Sequence, residues 1–444
     1  MGSDTSSRTE TVSGTVSETR KKHIYDYIIV GAGIAGLHTG IRLSKKYPNA
    51  KIAILERFGY TGGRVVTYKH GQNKWENGAG RIHRDAHTLV MKYMRRYSLT
   101  FSPIAADVDF ENPGQTNIFE STYIPIIQTI LENLPATELA THTIKELLTE
   151  IIGEQKTSEL LGAFAYNSEV DTLRADLALK SFRGEMGTHA GYGVCKEGLS
   201  SLIDGMVRDF RGGGSGSRGE ILERHWVKNV NPDTLELDVL VGPKDDRREE
   251  LFVARKGIIL ALHFDALCEI KSIQGWHMLS KVRMRPLLRV YATFKGAPFK
   301  GAPFRGLSSI VYPGSSGNGI RYFIPMGENV AMISYTDGGY AEKYMKILER
   351  DGEVALRDRI LSELRVVLPD RDVSSPTFFK THPWKSGCTY WLPGEYDVNE
   401  ASVEAHIPFR GKKVYICGES FSTRQAWMEG ALEHAESLLK NVDI

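Results

Sequence analysis

Cysteine is scarce: the 444 residues hold four, Cys195, Cys268, Cys388 and Cys417, far apart and with no C-x-x-C pair. Such spacing supports neither a disulfide framework nor a thiolate zinc site, and it fits a reducing, cytoplasmic setting. An excess of one charge is also lacking. The 56 Lys and Arg nearly cancel the 54 Asp and Glu for a formal +2, so no whole-molecule field gathers nucleic acid or anionic lipid. Binding then falls to a local site. Apolar runs such as Gly257 to Leu262 stay far below the roughly 20 residues of a membrane-spanning helix. Residues 1–22 are Ser/Thr-rich without an apolar core and read as a flexible tail, not a secretory signal. Met1 to Ser6 matches the N-myristoylation pattern, a loose one that recurs by accident.

What is abundant is glycine. The chain carries 44, about a tenth of its residues against a typical ~7%, which directs attention to places where backbone must approach a ligand. Length alone suggests roughly two or three domains. A short β-rich run, Tyr25 to Val30, precedes a helical stretch to about Tyr47 and a second strand, Lys51 to Leu55, together a βαβ unit of a parallel sheet. Residues 85–185 carry mainly helical periodicity and read as an insertion. Leu235 to Val241 and Leu251 to Ala254 read as a hairpin around a charged tip, and Gly212 to Gly216 as a flexible connector. The segments 288–294, 319–324 and 329–335 suggest an antiparallel sheet, and the tandem Lys-Gly-Ala-Pro-Phe at 295–304 a duplicated turn. The last strand, Lys413 to Cys417, runs into a turn and a terminal helix through Leu439.

Gly31, Gly33 and Gly36 follow the first strand and open the helix, and Glu56 ends the second strand 20 positions beyond Gly36. Gly31 permits a tight turn, Gly33 lets backbone approach a pyrophosphate at the positive helix end, Gly36 allows close helix packing, and Glu56 can accept ribose hydroxyls. A dinucleotide site follows. The next segment, Arg57 to Arg64, adds the glycine pair Gly62 and Gly63 and a guanidinium for the pyrophosphate charge. FAD, the more extended dinucleotide, fits this better than NAD.

With these motifs in place, the chain resembles the flavin-containing amine oxidase family: monoamine oxidases, L-amino-acid oxidases, polyamine oxidases and tryptophan monooxygenase. Further segments match in the family's order. The run Glu76 to Arg81, with Gly78 and Gly80, resembles the one beside the flavin ring, in the form whose arginine grips a substrate carboxylate. Val227 falls in the strand resembling the adenine-binding one, and the run from His382 through Trp384, Cys388 and Trp391 to Gly394 resembles the late aromatic segment. The stretch from Gly418 and Glu419 through Trp427, Met428 and Gly430 resembles the terminal FAD motif. The resemblance implies an α/β fold in which a Rossmann-like FAD domain (23–88, 193–270 and 405–444) interleaves with an α+β substrate domain (89–192 and 271–404). It also implies FAD-dependent oxidation of the CH–NH group of an amine or L-amino acid, with O2 as acceptor and H2O2 as product. Trp427 would form one aromatic wall of the site, and Tyr390 or Trp391 the other. Arg81 would favour an amino acid if it points into the pocket, and a simple amine if it contacts FAD.

Four positions depart from the pattern or leave it open. Arg289 stands where the family usually has a lysine that assists reaction with oxygen; arginine cannot serve as a base, which keeps open a dehydrogenase or desaturase acting on a non-amine, or a non-catalytic flavin scaffold. Cys388 falls where monoamine oxidases attach FAD covalently, in a segment one residue shorter; a small buried residue is the alternative. His83 and His87 share i, i+4 spacing, but no further placed ligand suggests a metal. No membrane span or nucleic-acid partner is expected, and the oligomeric state is open, a homodimer included.

Overall fold

The computed structural model describes residues 20–444 apart from 113, 115–121, 165, 186–189, 213–218, 296–302, 313–318 and 374. The acylation pattern at the start, most of the glycine connector and most of the tandem repeat lie outside them.

The apolar runs read as strands build a seven-stranded sheet. Lys22–Val30 pairs in parallel with Ile52–Glu56 on one side and Arg248–Leu260 on the other, while Glu220–Glu223 extends the sheet beyond Ile52–Glu56. Ile28, Ile29, Ile52, Ala53 and Ile54 are all buried, as expected of a parallel sheet covered on both faces. Helix Ile34–Lys46 covers one face with the terminal helix Met428–Asn441. The run at 251–254 and the first four residues of that at 257–262, which look separate in sequence, lie in one strand, Arg248–Leu260. Its first half closes an antiparallel meander with Glu236–Val241 and His225–Asn231, and its second half pairs in parallel with Val414–Ile416. Arg255 and Lys256 fall at the changeover, where the register with the first strand shifts, so their exposure hides the continuity from a hydropathy reading.

A second, six-stranded sheet runs in the order Pro376–Trp391, Val282–Phe294, Val330–Asp337, Tyr322–Pro325, Ser309–Val311, Val108–Phe110. The 16-residue strand Pro376–Trp391 is not visible as a strand in the sequence, because two prolines and a glycine interrupt it. It nevertheless pairs along nearly all of Val282–Phe294, with register shifts at Arg285/Leu287 and Thr293/Phe294. Helix Gly338–Val367, broken at Gly352 where φ is +86°, packs on this sheet. The region 85–185 holds helices Thr88–Arg96, Ile124–Leu131, Ile144–Ile152, Glu154–Gly162 and Ala175–Glu185 among shorter elements. Thr88–Arg96 packs on the terminal helix and shares its apolar cluster with the first βαβ unit, through Val90, Tyr93 and Met94. The two sheets leave a cavity between them.

Candidate active site

The cavity, about 620 Å³, runs from Glu56 and Val227 past the glycine turns to Trp384, Cys388 and Trp427. At its start, Gly31 adopts φ +103°, and a Cβ there would lie 2.5 Å from the carbonyl oxygen of Ala261. A Cβ on Gly36 would lie 2.0 Å from the oxygen of Gly31, whereas one on Gly33 would meet nothing within 4 Å. Two glycines are therefore required by protein packing. The third leaves bare backbone at the mouth of the helix, where a pyrophosphate would be received. Gly62 docks beside this turn, its N–H donating to the Ala32 oxygen at 2.9 Å, and Gly63 follows with φ +59°.

Glu56 is buried, and its two carboxylate oxygens accept the backbone N–H groups of Ala32 (2.8 Å) and Phe58 (2.9 Å). Burial pushes its carboxyl up, and those backbone bonds act against the shift. Next to it the Arg57 guanidinium pairs with Glu269 at 2.8 Å and stacks 4.0 Å from the centre of the Trp226 ring, beside the Val227 strand. Its charge is thus matched by protein.

Arg64 donates to the Gly387 oxygen (2.8 Å) and to Glu419 (2.9 Å). Glu419 also accepts the N–H groups of Thr389 (2.9 Å) and Ala426 (2.8 Å) and the Thr389 hydroxyl (3.0 Å). Its carboxylate organises the turn, and what the turn presents to the cavity is the Gly418 backbone at φ +128°, where a Cβ would find no heavy atom closer than 3.8 Å. Ala426 is held in the left-handed region (φ +66°), unusual for a residue with a Cβ, and leads into Trp427 and Met428, both of which line the cavity.

Trp427 stacks on Tyr192 (centroids 5.7 Å apart, 20° between planes). Arg81 lies 5.3 Å from the Tyr192 ring centre and 5.9 Å from that of Trp427, and its Nη2 donates to the Tyr166 hydroxyl at 3.2 Å. Burial opposes the Arg81 charge, yet the phenols of Tyr166, Tyr322, Tyr335 and Tyr192 around it raise its pKa above the usual arginine value. Arg81 therefore stays a cation. Arg289 is buried on the adjacent wall, donating to the Glu76 carbonyl at 3.0 Å with its guanidinium 4.7 Å from the centre of the Tyr335 ring. Gly80 makes room for it, since a Cβ there would sit 2.8 Å from Arg289 Nη1.

Strand geometry decides between Tyr390 and Trp391. Neighbouring side chains in a strand point to opposite faces. Tyr390 lines the cavity, while Trp391 is fully buried, its indole N–H donating to the Ser422 oxygen at 2.9 Å. The expectation of Trp391 as an alternative wall is corrected accordingly: it belongs to the core. Trp384 reaches the cavity with its indole bonded to the Asn77 oxygen. Cys388 lines the cavity too, and burial pushes its thiol up to about 12. His83 and His87 act as turn acceptors: Nδ1 of His87 takes the His83 N–H at 3.1 Å, and Nδ1 of His83 takes those of Asp85 and Ala86.

Comparison with known proteins fits this geometry. The family model for flavin containing amine oxidoreductases matches residues 125–437, and an NAD(P)-binding Rossmann-like domain matches 29–97. The chain belongs to the flavin containing amine oxidoreductase family. Aplysianin-A of Aplysia kurodai is 21% identical over 507 residues, covering 93% of this chain and 89% of that protein. An L-amino-acid oxidase of Naja atra is 33% identical over 79 residues, 18% of this chain and 15% of that one. A redesigned double mutant of putrescine oxidase shares the fold with TM-score 0.70 at 14% identity, covering 94% of this chain and 99% of its own. FAD is the cofactor of this family member, and the residues present fit it: glycine backbone at the helix mouth, the Glu56 carboxylate at one end of the cavity, aromatic and cationic walls at the other. Among the described residues no helix is long and apolar enough to cross a membrane.

Sequence reading did not find Tyr166, Glu169, Tyr192, Tyr335 and Asp337, all at or beside the cavity. A signal existed for one pair. Tyr335 and Asp337 are two apart in a strand and so share its face. Tyr166 and Glu169 sit in the insertion, whose helical periodicity carries no mark of a site.

Proposed function

We propose that this chain oxidises the CH–NH group of an amino acid to an imine, with dioxygen as acceptor and hydrogen peroxide as second product. Arg81 carries the reading. Its guanidinium lines the cavity against Trp427, Tyr192 and Tyr166, and a planar guanidinium is the cation whose geometry matches a carboxylate. Bound FAD would supply the hydride acceptor.

The chain's own residues would bind, orient and exclude water. Arg81 would hold the carboxylate, and the faces of Trp427 and Tyr390 would enclose the amine. Neither arginine can take a proton from the substrate, and burial first of all pushes the Tyr166 and Tyr390 phenols well up, so that they remain protonated at neutral pH. The amine must therefore enter the step neutral, and turnover should rise with pH as the substrate ammonium loses its proton. Forming the imine releases two electrons and two protons, which dioxygen takes up as hydrogen peroxide. Arg289 keeps a positive charge at the site of the family's lysine: burial works against it, but Tyr291 and Tyr335 raise its pKa. That charge would favour electron transfer to oxygen while providing no base.

The test compares an amino acid with its decarboxylated amine in anaerobic flavin bleaching. The amino acid is expected to bleach the flavin faster, and Arg81→Met to lower kcat/KM for it about 10- to 100-fold, the worth of lost charge-assisted hydrogen bonds, with the amine little changed. Preference for the amine would defeat the reading. Arg289 supports a second reading for the acceptor, a dehydrogenase, because its Nη1 is engaged by the Glu76 carbonyl. Reduced enzyme that stays reduced in air while an artificial acceptor restores turnover would establish that alternative.

A further inference from the structure

We propose that His263 holds the cofactor by its pyrophosphate, donating a hydrogen bond from Nε2 to a phosphate oxygen.

The chain leaving strand Arg248–Leu260 passes both glycine turns of the cavity in two residues. The Ala261 oxygen lies 2.5 Å from where a Cβ on Gly31 would sit, and the Leu262 oxygen 3.8 Å from the corresponding point on Gly418. His263 comes next and lines the cavity together with Gly31, Gly33, Arg64 and Gly418. It therefore stands at the stretch between the Glu56 end and the Trp427 end, where bare backbone at the helix mouth receives a pyrophosphate.

The ring is held with a donor to offer. His263 precedes the short helix Phe264–Cys268, and its Nδ1 accepts the Ala266 N–H at 3.4 Å. Burial lowers His263 to about 4, helped by Arg64 and Arg57 and opposed by Glu419, so the imidazole is neutral at pH 7. A neutral imidazole that accepts at Nδ1 carries its proton on Nε2. Among the described residues, Nε2 of His263 meets no protein partner.

The two arginines nearest in sequence to the glycine turns are already engaged by protein. Arg57 pairs with Glu269 at 2.8 Å, and Arg64 bonds Glu419 at 2.9 Å and the Gly387 oxygen at 2.8 Å. A phosphate oxygen brought here keeps lone pairs that these guanidinium groups do not fill. A neutral N–H fills one of them with a charge-assisted hydrogen bond and adds no further buried cation to the wall.

The test uses variants that keep the helix cap and change only what faces the cofactor. Asparagine and aspartate both cap a helix well. His263→Asn withdraws the imidazole donor, and His263→Asp also sets a negative charge against the phosphates. The full chain, freed of flavin, is titrated with FAD, with ADP, which keeps the pyrophosphate, and with adenosine, which lacks it. His263→Asn is expected to weaken FAD and ADP alike by about tenfold, the size expected of one hydrogen bond to a charged group, and adenosine by less than about twofold. His263→Asp should weaken FAD and ADP further, and added salt should reduce that extra loss. A residue acting only as a cap would behave differently, since aspartate would restore it. Unchanged FAD and ADP binding in both variants, or an equal loss for adenosine and ADP, would overturn the proposal. If the flavin-free chain does not stay folded, the rate of FAD release from the holoenzyme decides: faster release in His263→Asn and the fastest in His263→Asp uphold the contact, and equal rates reject it.

Discussion

Nη2 of Arg64 lies 2.9 Å from Oε2 of Glu419, so the second glycine segment and the terminal turn, 355 positions apart, meet in one ion pair at the cavity wall. The same carboxylate holds Thr389 at the end of the long strand and Ala426 just before Trp427. One side chain therefore ties three separate parts of the chain to the cofactor site.

Glu419→Ala should accordingly be among the most damaging single changes. It strands the Arg64 guanidinium, two backbone N–H groups and a hydroxyl, and removing one partner of a buried pair costs about 3–5 kcal/mol. The expected result is a fall in Tm with flavin lost on desalting, while Glu419→Gln, which keeps an acceptor oxygen, retains more flavin. Equal flavin content in Glu419→Ala and the unmodified protein would contradict this role.

Gly36→Ala should abolish flavin binding, because the added carbon would sit 2.0 Å from the Gly31 oxygen and force the helix off the first strand. Gly327→Ala, where a Cβ meets nothing within 4 Å, serves as the matched control and should keep full flavin absorbance. The ratio of visible to ultraviolet absorbance after purification checks both.

Acid precipitation should release all the yellow colour into the supernatant. A Cys388 thiol pushed up to about 12 by burial, with the Glu419 charge adding to the effect, remains protonated at neutral pH, and it is the thiolate that forms carbon–sulfur bonds. Colour retained in the pellet would show a covalent attachment.

Acid should destabilise the fold through its buried histidines. Burial lowers His87 and His434 to about 3, far below the ~6.5 of an unfolded histidine. Below pH 6.5 the unfolded chain binds protons that the folded chain refuses, so stability rises with pH across this window and is lost as pH falls from about 6.5 toward 3, by up to about 1.4 kcal/mol per unit for each group. Burial raises Glu56, Glu76 and Asp337, which oppose this trend at the acid end. A Tm scan from pH 7 to 5 should show a decline, and His434→Gln should flatten it. A level Tm would refute the assignment.

The chemistry legible in the sequence is that carried by local backbone geometry. Gly31, Gly33, Gly36 and Glu56 announce a dinucleotide site because a turn, a helix start and a strand end within 30 residues leave few other uses for that spacing. The terminal run from Gly418 to Gly430 is legible only through its resemblance to the family's terminal motif. Choosing Tyr390 over Trp391 needed the register of a strand whose prolines and glycine conceal it, since a shift of one residue exchanges the two faces. The surroundings of Arg81 also lay beyond the sequence: Tyr166 and Glu169 from one segment and Asp337 from another line the same cavity, and the closing of two sheets around one space brings them together. Local steric demands are written in consecutive residues; the electrostatic character of a cavity depends on distances between residues far apart in the chain, and tertiary packing alone sets those.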